Sequence, residues 1–270
     1  SSYESYKVQI NSGQPSNLIV ADMNNDGNND ILILKPGGFN ASIELLVNNG
    51  NREFNKYIVN TSIFSPSDIE VADLNNDGNL DVLVGTNVSA YNDDHKIVWF
   101  QNDGNLNFTM NHISETQYAR EFHCTDIDND GDIDILTAAF GGSNDLLLHK
   151  NDGNENFTKV SIESGYRGGV GYAADLDLDG DIDFLRSNVD QDARNTYLQG
   201  FELNTDEKNI NNDAGEVESI FAVDLDRDGD TDVLSISTSD GQSPSSNDNK
   251  LLWYENNGSK VLVSIVFKPV

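Results

Sequence analysis

One nine-residue pattern, D-x-[DN]-x-D-G-[DN]-x-D, occurs five times in this chain of 270 residues without a gap or insertion. The copies begin at Asp22, Asp73, Asp126, Asp175 and Asp224, at offsets of 51, 53, 49 and 49 residues. A second element follows four of them: LVNNGNREF at 46–54, WFQNDGNLNF at 99–108, LHKNDGNENF at 148–157 and WYENNGSKV at 253–261. In the fourth unit it is blurred, around Tyr197–Asn204. Self-similarity at a fixed period of this size predicts an array of stacked units, each burying its apolar face against the next.

Within each unit the residues read as strands. A short apolar run follows each loop, from Ile31, Val82, Ile135, Phe184 and Val233, and its second residue is always leucine: Leu32, Leu83, Leu136, Leu185 and Leu234. Short apolar runs at regular spacing, with Gly/Asn/Asp turns between them, predict an all-β array. Four strands fit each unit, which is the size of a propeller blade. The expectation is therefore a β-propeller of five four-stranded blades at about 17–66, 67–119, 120–168, 169–218 and 219–270. Five prolines and no linker-like run leave 1–270 as a single domain. The segment SYKVQI (5–10) resembles the outer strands FNKYIV (54–59) and FTKVSI (157–162) and is a candidate closing strand within 1–16. VLVSIVF (261–267) competes for the same place, so a larger ring of six or seven blades is the alternative.

The loop itself is a string of oxygen donors at positions 1, 3, 5 and 9, with glycine at position 6 where the chain must turn sharply. Hard oxygen ligands at that spacing, completed by a backbone carbonyl at position 7, suit Ca²⁺. The apolar residue at position 2 (Met23, Leu74, Ile127, Leu176, Leu225) is expected to point into the core. Crowded carboxylates repel one another without a cation, and 21 of the 46 acidic residues lie in these loops. The remaining balance is equally lopsided, with 16 Lys+Arg and a formal charge of −30. Such a field disfavours nucleic acid and anionic membranes as partners. No apolar run reaches the roughly 20 residues of a membrane helix, and a single cysteine, Cys124, excludes an intrachain disulfide framework.

An EF-hand is excluded, because its twelfth position needs a bidentate Glu and here holds Ile33, Val84, Thr137, Arg186 and Ser235. The loop between two strands, together with the third-strand signature seen at Trp253–Gly258, resembles the calcium loops of FG-GAP/VCBS repeats over residues 17–268. That resemblance implies an integrin-α-like propeller with about five Ca²⁺, one per blade. Carried over residue by residue, it implies ligands Asp22, Asn24, Asp26, Asn28 and Asp30 in the first loop, and Asp73, Asn75, Asp77, Asn79 and Asp81 in the second. The third would use Asp126, Asp128, Asp130, Asp132 and Asp134. The fourth would use Asp175, Asp177, Asp179, Asp181 and Asp183, and the fifth Asp224, Asp226, Asp228, Asp230 and Asp232. The fourth residue of each set would donate its backbone carbonyl. Asn at position 3 leaves the first two sites with less ligating charge.

Catalytic patterns are lacking. There is no G-x-S-x-G elbow, and His95, His112, His123 and His149 share no common spacing. Cys124, just before the third loop, reads as a buried small residue of an innermost strand. The expectation is a binding module rather than an enzyme, with a polysaccharide lyase as the enzymatic rival. Variable stretches between the repeats hold aromatic residues and four of the six arginines. Tyr118, Arg120, Tyr166, Arg167, Arg186 and Arg194 are therefore candidates for stacking on and hydrogen-bonding a sugar, against the alternative that each arginine pairs with a local acid. Trp99 and Trp253 share one third-strand position and join the candidates, with packing between blades as the competing role. The resemblance implies a secreted, lectin-like, glycan-binding propeller, with a scaffold for an extracellular protein partner or a non-catalytic domain of a polysaccharide-degrading enzyme as the alternatives.

Overall fold

The computed structural model describes residues 14–37, 41–61, 63–86, 97–114, 119–139, 145–163, 170–189, 196–201, 208–211, 216–238, 250–256 and 263–266. Among these there are twenty strands and no helix. The first sheet comprises β1 (Asn17–Ala21), β2 (Asp30–Lys35), β3 (Ser42–Asn48) and β4 (Phe54–Asn60). The second holds β5 (Pro66–Ala72), β6 (Asp81–Thr86), β7 (Ile97–Asn102) and β8 (Phe108–Ser114). The third is β9 (Ala119–Thr125), β10 (Asp134–Ala139), β11 (Asp145–Asn151) and β12 (Phe157–Glu163). The fourth is β13 (Gly171–Ala174), β14 (Asp183–Val189), β15 (Thr196–Phe201) and β16 (Lys208–Asn211). The fifth is β17 (Glu216–Val223), β18 (Asp232–Thr238), β19 (Lys250–Glu255) and β20 (Val263–Val266). In every sheet the strands lie side by side in chain order, each antiparallel to the next. This is a propeller-like arrangement of antiparallel sheets.

The chain divides into two compact units, Ser1–Tyr118 with the first two sheets and Ala119–Val270 with the other three. In the first unit Leu32, Leu34 and Leu45 of the first sheet pack with Val82, Val84 and Phe100 of the second. In the second unit Leu136 and Leu148 meet Ala173 and Phe184, and Leu185 and Leu198 meet Val233, Leu252 and Tyr254. The leucine that follows every loop has one fixed register partner in the third strand: Leu32 faces Leu45, Leu83 faces Trp99, Leu136 faces Leu148, Leu185 faces Gly200 and Leu234 faces Trp253. Trp99 and Trp253 thus do occupy one repeated position. The fourth unit has Gly200 at this position, and Ile210, Leu185 and Leu176 lie 3.4 to 3.7 Å from where its Cβ would stand.

The last sheet of the second unit differs on one face. Ile236 and Leu251, a register pair, are 52% and 45% exposed, whereas the equivalent pair Ala138 and Leu146 is buried. Position-2 residues follow the same trend: Met23, Leu74 and Ile127 are buried as expected, but Leu225 is 43% exposed. The C-terminal run contributes β20 as the fourth strand of the fifth sheet, while SYKVQI lies outside the described residues. Cys124 sits in β9 opposite Ile135, yet it is half-buried rather than enclosed.

Candidate metal centres

Each nine-residue loop joins the first two strands of its sheet through eight connecting residues, in all five sheets. Its backbone is the same each time. Position 4 is left-handed whatever its residue (Asn25 φ 57°, Asn76 56°, Asn129 59°, Leu178 59°, Arg227 67°), and the position-6 glycine follows at φ 85° to 100°. A Cβ on those glycines would meet nothing within 4 Å, so conformation rather than space requires glycine there. The carboxylate at position 1 holds the turn by accepting the position-6 N–H, at 2.8 Å for Gly27 on Asp22 and 3.1 Å for Gly180 on Asp175.

Position 9 is buried in every loop: Asp30, Asp81, Asp134, Asp183 and Asp232. One of its oxygens accepts the position-2 N–H, 3.0 Å from Met23 and 3.1 Å from Ile127. The other accepts the N–H of a third-strand asparagine, at 2.8 Å from Asn48, Asn102, Asn151 and Asn256. The same asparagines donate Nδ2 to the position-8 carbonyl at 3.1 Å. Within each unit one of them also reaches the preceding sheet, Asn102 to Met23 O at 2.8 Å and Asn256 to Leu176 O at 2.6 Å. These asparagines are the first residue of the N-[ND]-G element. Sequence reasoning saw the element as a strand ending and missed its role as the clamp of the loop. Its recurrence after four of the five loops was the signal available. Burial pushes the carboxyl groups of Asp81 and Asp134 up to about 6 and raises Asp30 as well, outweighing the two N–H donors on each.

The loops diverge at positions 3 and 7. In the third, fourth and fifth loops, carboxylate oxygens of positions 1, 3 and 9 lie within 4.8 Å of one another: Asp126, Asp128 and Asp134; Asp175, Asp177 and Asp183; Asp224, Asp226 and Asp232. Among the described residues only these three loops do so. The donor set fits a hard divalent cation. Two further observations support the fit. Asp175 Oδ1 is buried without a hydrogen-bond partner, although the other oxygen of that carboxylate is bonded; an orphaned carboxylate oxygen at position 1 is where a cation would sit. In the third loop a protein cation already stands there, Lys150 paired with Asp128, and that pairing raises the lysine's pKa. Position 7 packs beneath the N-[ND]-G turn, where a Cβ on Gly153 (φ 70°) would stand 2.5 Å from Asp132 Oδ2.

The first two loops reach the same shape differently. Asn24 and Asn28 donate Nδ2 to Asp26 at 3.1 and 2.9 Å, and Asn75 and Asn79 do the same for Asp77. The backbone N–H of Asn28 and these amides hold the Asp26 carboxyl below its usual range.

The family model of the FG-GAP-like repeat matches residues 22–84 and 126–185. The chain carries FG-GAP-like repeats. The matched stretches run from the first loop into the second and from the third into the fourth. No curated protein sequence matches the chain. Among solved structures, these repeats are similar to the V. cholerae biofilm matrix protein Bap1, at 15% identity and a TM-score of 0.52. That likeness covers 93% of this chain and only 39% of the other. AofleA from Arthrobotrys oligospora is similar at 11% identity and a TM-score of 0.53, over 88% of this chain and 68% of that one. At such identities the likeness is one of fold.

The sugar-binding candidates fare unevenly. Arg186 is a correction: it is 1% exposed in β14, at a place equivalent to the buried Ile33, Val84, Thr137 and Ser235. The strand directs that position inward, so Arg186 presents nothing to a ligand. Trp99 is likewise buried, at 2%, and packs as its register partner Leu83 requires; Trp253 is half-buried. Tyr118, Tyr166, Arg167 and Arg194 lie outside the described residues, as does the side chain of Arg120.

Proposed function

We propose that this chain is a calcium-stabilised, secreted binding module of five blades, with about five Ca²⁺ at one end of the sheets and a carbohydrate ligand at the other. One observation carries the division of labour. The loop end is constant, with eight residues between the first and second strands in every sheet, whereas the connections between second and third strands run from five residues (140–144) to eleven (239–249). By antiparallel topology the two sets of connections lie at opposite ends of each sheet. Constant loops suit a repeated structural ion, and variable ones are where recognition is placed on a rigid scaffold. Support for calcium comes from the buried, unpartnered Asp175 Oδ1 and the three carboxylate trios. Asp22, Asp26, Asp30 and their equivalents in the second loop would complete the set of five with their asparagines.

Sugar as the ligand class rests on Arg194 in one second-to-third connection, and on Tyr118, Arg120, Tyr166 and Arg167 in or beside the stretches that lead from the fourth strand of one sheet to the first strand of the next. The likeness to a biofilm matrix protein favours an extracellular, adhesive role. A protein partner at the same end is the second reading, and catalysis is no part of either. Calorimetric titration with Ca²⁺, followed by a glycan array and a protein pull-down at fixed Ca²⁺, tests all parts. Calcium binding with sugar retention is expected. Absence of calcium binding overturns the structural half, and retention of protein alone overturns the carbohydrate half.

A further inference from the structure

In each unit two neighbouring loops are tied together through position 4, a residue that the ligand pattern leaves unspecified. In the first unit Asn25 Nδ2 donates across to the second loop, to Gly78 O at 3.1 Å and Asn79 Oδ1 at 3.0 Å. In the second unit Asn129 Nδ2 of the third loop donates to Gly180 O of the fourth at 2.7 Å. In both cases the accepting carbonyl belongs to a peptide group whose N–H is also engaged. Asn79 N donates to Asp77 Oδ1 at 2.8 Å, and Asp181 N to Asp179 Oδ1 at 3.1 Å. A continuous path therefore runs from position 4 of one loop to the position-5 carboxylate of the next. Position 4 itself stands between the position-3 and position-5 donors of its own loop. The fourth loop breaks the series. Leu178 has the same left-handed backbone, φ 59°, but carries no amide and is 54% exposed.

We propose that Asn25 and Asn129 are positioning residues that couple cation binding between neighbouring loops, while the fourth and fifth loops bind independently of each other. The proposal rests on the calcium reading above. Ordering the fourth loop around its ion fixes Asp179, then the peptide group of residues 180 and 181, and through it the Asn129 amide. Part of the ordering needed by the third loop is then already complete when its own ion arrives. The effect is reciprocal by linkage. One net hydrogen bond sets its size, a change of about fivefold in apparent affinity.

The test is hydrogen exchange of the full chain across a calcium series, read as separate protection midpoints for residues 126–134, 175–183 and 224–232. Crippling the fourth loop with Asp179→Ala should raise the midpoint of 126–134 about fivefold. In an Asn129→Gly background, which keeps the left-handed backbone and removes only the amide, that midpoint should no longer respond. Leu178→Asn supplies the missing amide, so Asp228→Ala should then raise the midpoint of 175–183, which it leaves alone in the parent. A response of 126–134 that survives Asn129→Gly overturns the proposal, as does no response in the parent. Loops that each gain protection, but independently, sink this coupling and leave the calcium reading intact. Loops that gain none remove both.

Discussion

The first and third loops have the same length and backbone but are held closed by different means. In the first, Asn24 and Asn28 direct amide N–H groups at Asp26, so the turn satisfies its own carboxylate. In the third, both positions are aspartate, three carboxylates converge within 4.8 Å, and the positive charge at hand is Lys150. The fourth and fifth loops have the third loop's convergence without an equivalent lysine at the matching position, which is occupied by Glu255 in the fifth sheet. Two substitutions per loop thus exchange a hydrogen-bonded turn for one that repels itself until a cation arrives. Shape is set by the left-handed position 4, the position-6 glycine and the buried position-9 aspartate; the negative charge offered to a cation is set separately, at positions 3 and 7.

Chelation should separate the two units most sharply. At about ten times Kd each occupied site adds roughly 1.4 kcal/mol to the folded state. On the calcium reading proposed above, the three carboxylate-rich loops together make about 4 kcal/mol of the second unit's stability conditional on calcium. With EDTA, exchange protection should fall across 126–134, 175–183 and 224–232 far more than across 22–30 and 73–81. Equal loss in both units would show that the asparagine loops need calcium as much as the aspartate loops do.

Acid should weaken the same unit for two reasons that one substitution can separate. His149 in β11 faces Ile135, the place that Leu46, Phe100 and Tyr254 take in other sheets. Burial lowers its pKa to about 4, helped by the nearby charge of Lys159, and neither ring nitrogen has a hydrogen-bond partner among the described residues. A lowered folded pKa means that the folded chain resists a proton the unfolded chain accepts. Stability is therefore intact above about 6.5 and is lost as pH falls towards 4, by up to roughly 3 kcal/mol. His149→Leu should flatten that slope in chemical denaturation with EDTA present. His123 in β9, whose pKa burial also lowers, contributes to what remains in EDTA; only the acid sensitivity that calcium adds to the His149→Leu variant belongs to the loop carboxylates. An unchanged slope would mean that His149 is protonated as easily folded as unfolded.

Much of this was legible in the residues, and the gaps have a common cause. The four strands per unit, the leucine of each second strand and the position-6 glycine follow from local periodicity and turn chemistry. What was missed depends on partners far away in sequence. The asparagine clamp acts 17 to 24 residues after the aspartate it holds, and Asn129 bonds a carbonyl 51 residues on. Arg186 shows the opposite error. Its charge suggested the surface, but its place in the register is one that every sheet turns inward. Position 9 was read as a ligand alone, whereas it also ties three strands together.

Single ligand deletions sharpen the comparison at the next scale. Asp179→Ala and Asp228→Ala each remove a position-5 donor from a carboxylate-rich loop, so in calcium each should cost about one site, roughly 1.4 kcal/mol. Asp26→Ala should cost less there, because its loop has less ligating charge to lose. In EDTA the order should reverse. Asp26 accepts the backbone N–H of Asn28 at 2.8 Å and two side-chain amides, whereas a self-repelling loop gains from losing a carboxylate. Melting curves of the three variants with and without calcium decide it. If Asp26→Ala is the most damaging in both conditions, charge count does not rank these sites.

The smallest effect separates backbone strain from ligand placement. Gly50 and Gly153 occupy the same turn, at φ 79° and 70°, so alanine at either meets a left-handed penalty of about 1 kcal/mol. Their surroundings differ. A Cβ at Gly50 would lie 3.5 Å from Asn28 Oδ1, an ordinary contact, whereas at Gly153 it would lie 2.5 Å from Asp132 Oδ2. Asp132 must then move, and its N–H holds Asp130 at 3.0 Å. Gly153→Ala should therefore cost up to about 1 kcal/mol more than Gly50→Ala when calcium is present. The excess should vanish in an Asp132→Gly background, which removes the crowded side chain but keeps the backbone N–H and carbonyl. Equal costs for the two alanines in calcium would show that the turn and the loop beneath it are independent, and that only the left-handed backbone requires glycine there.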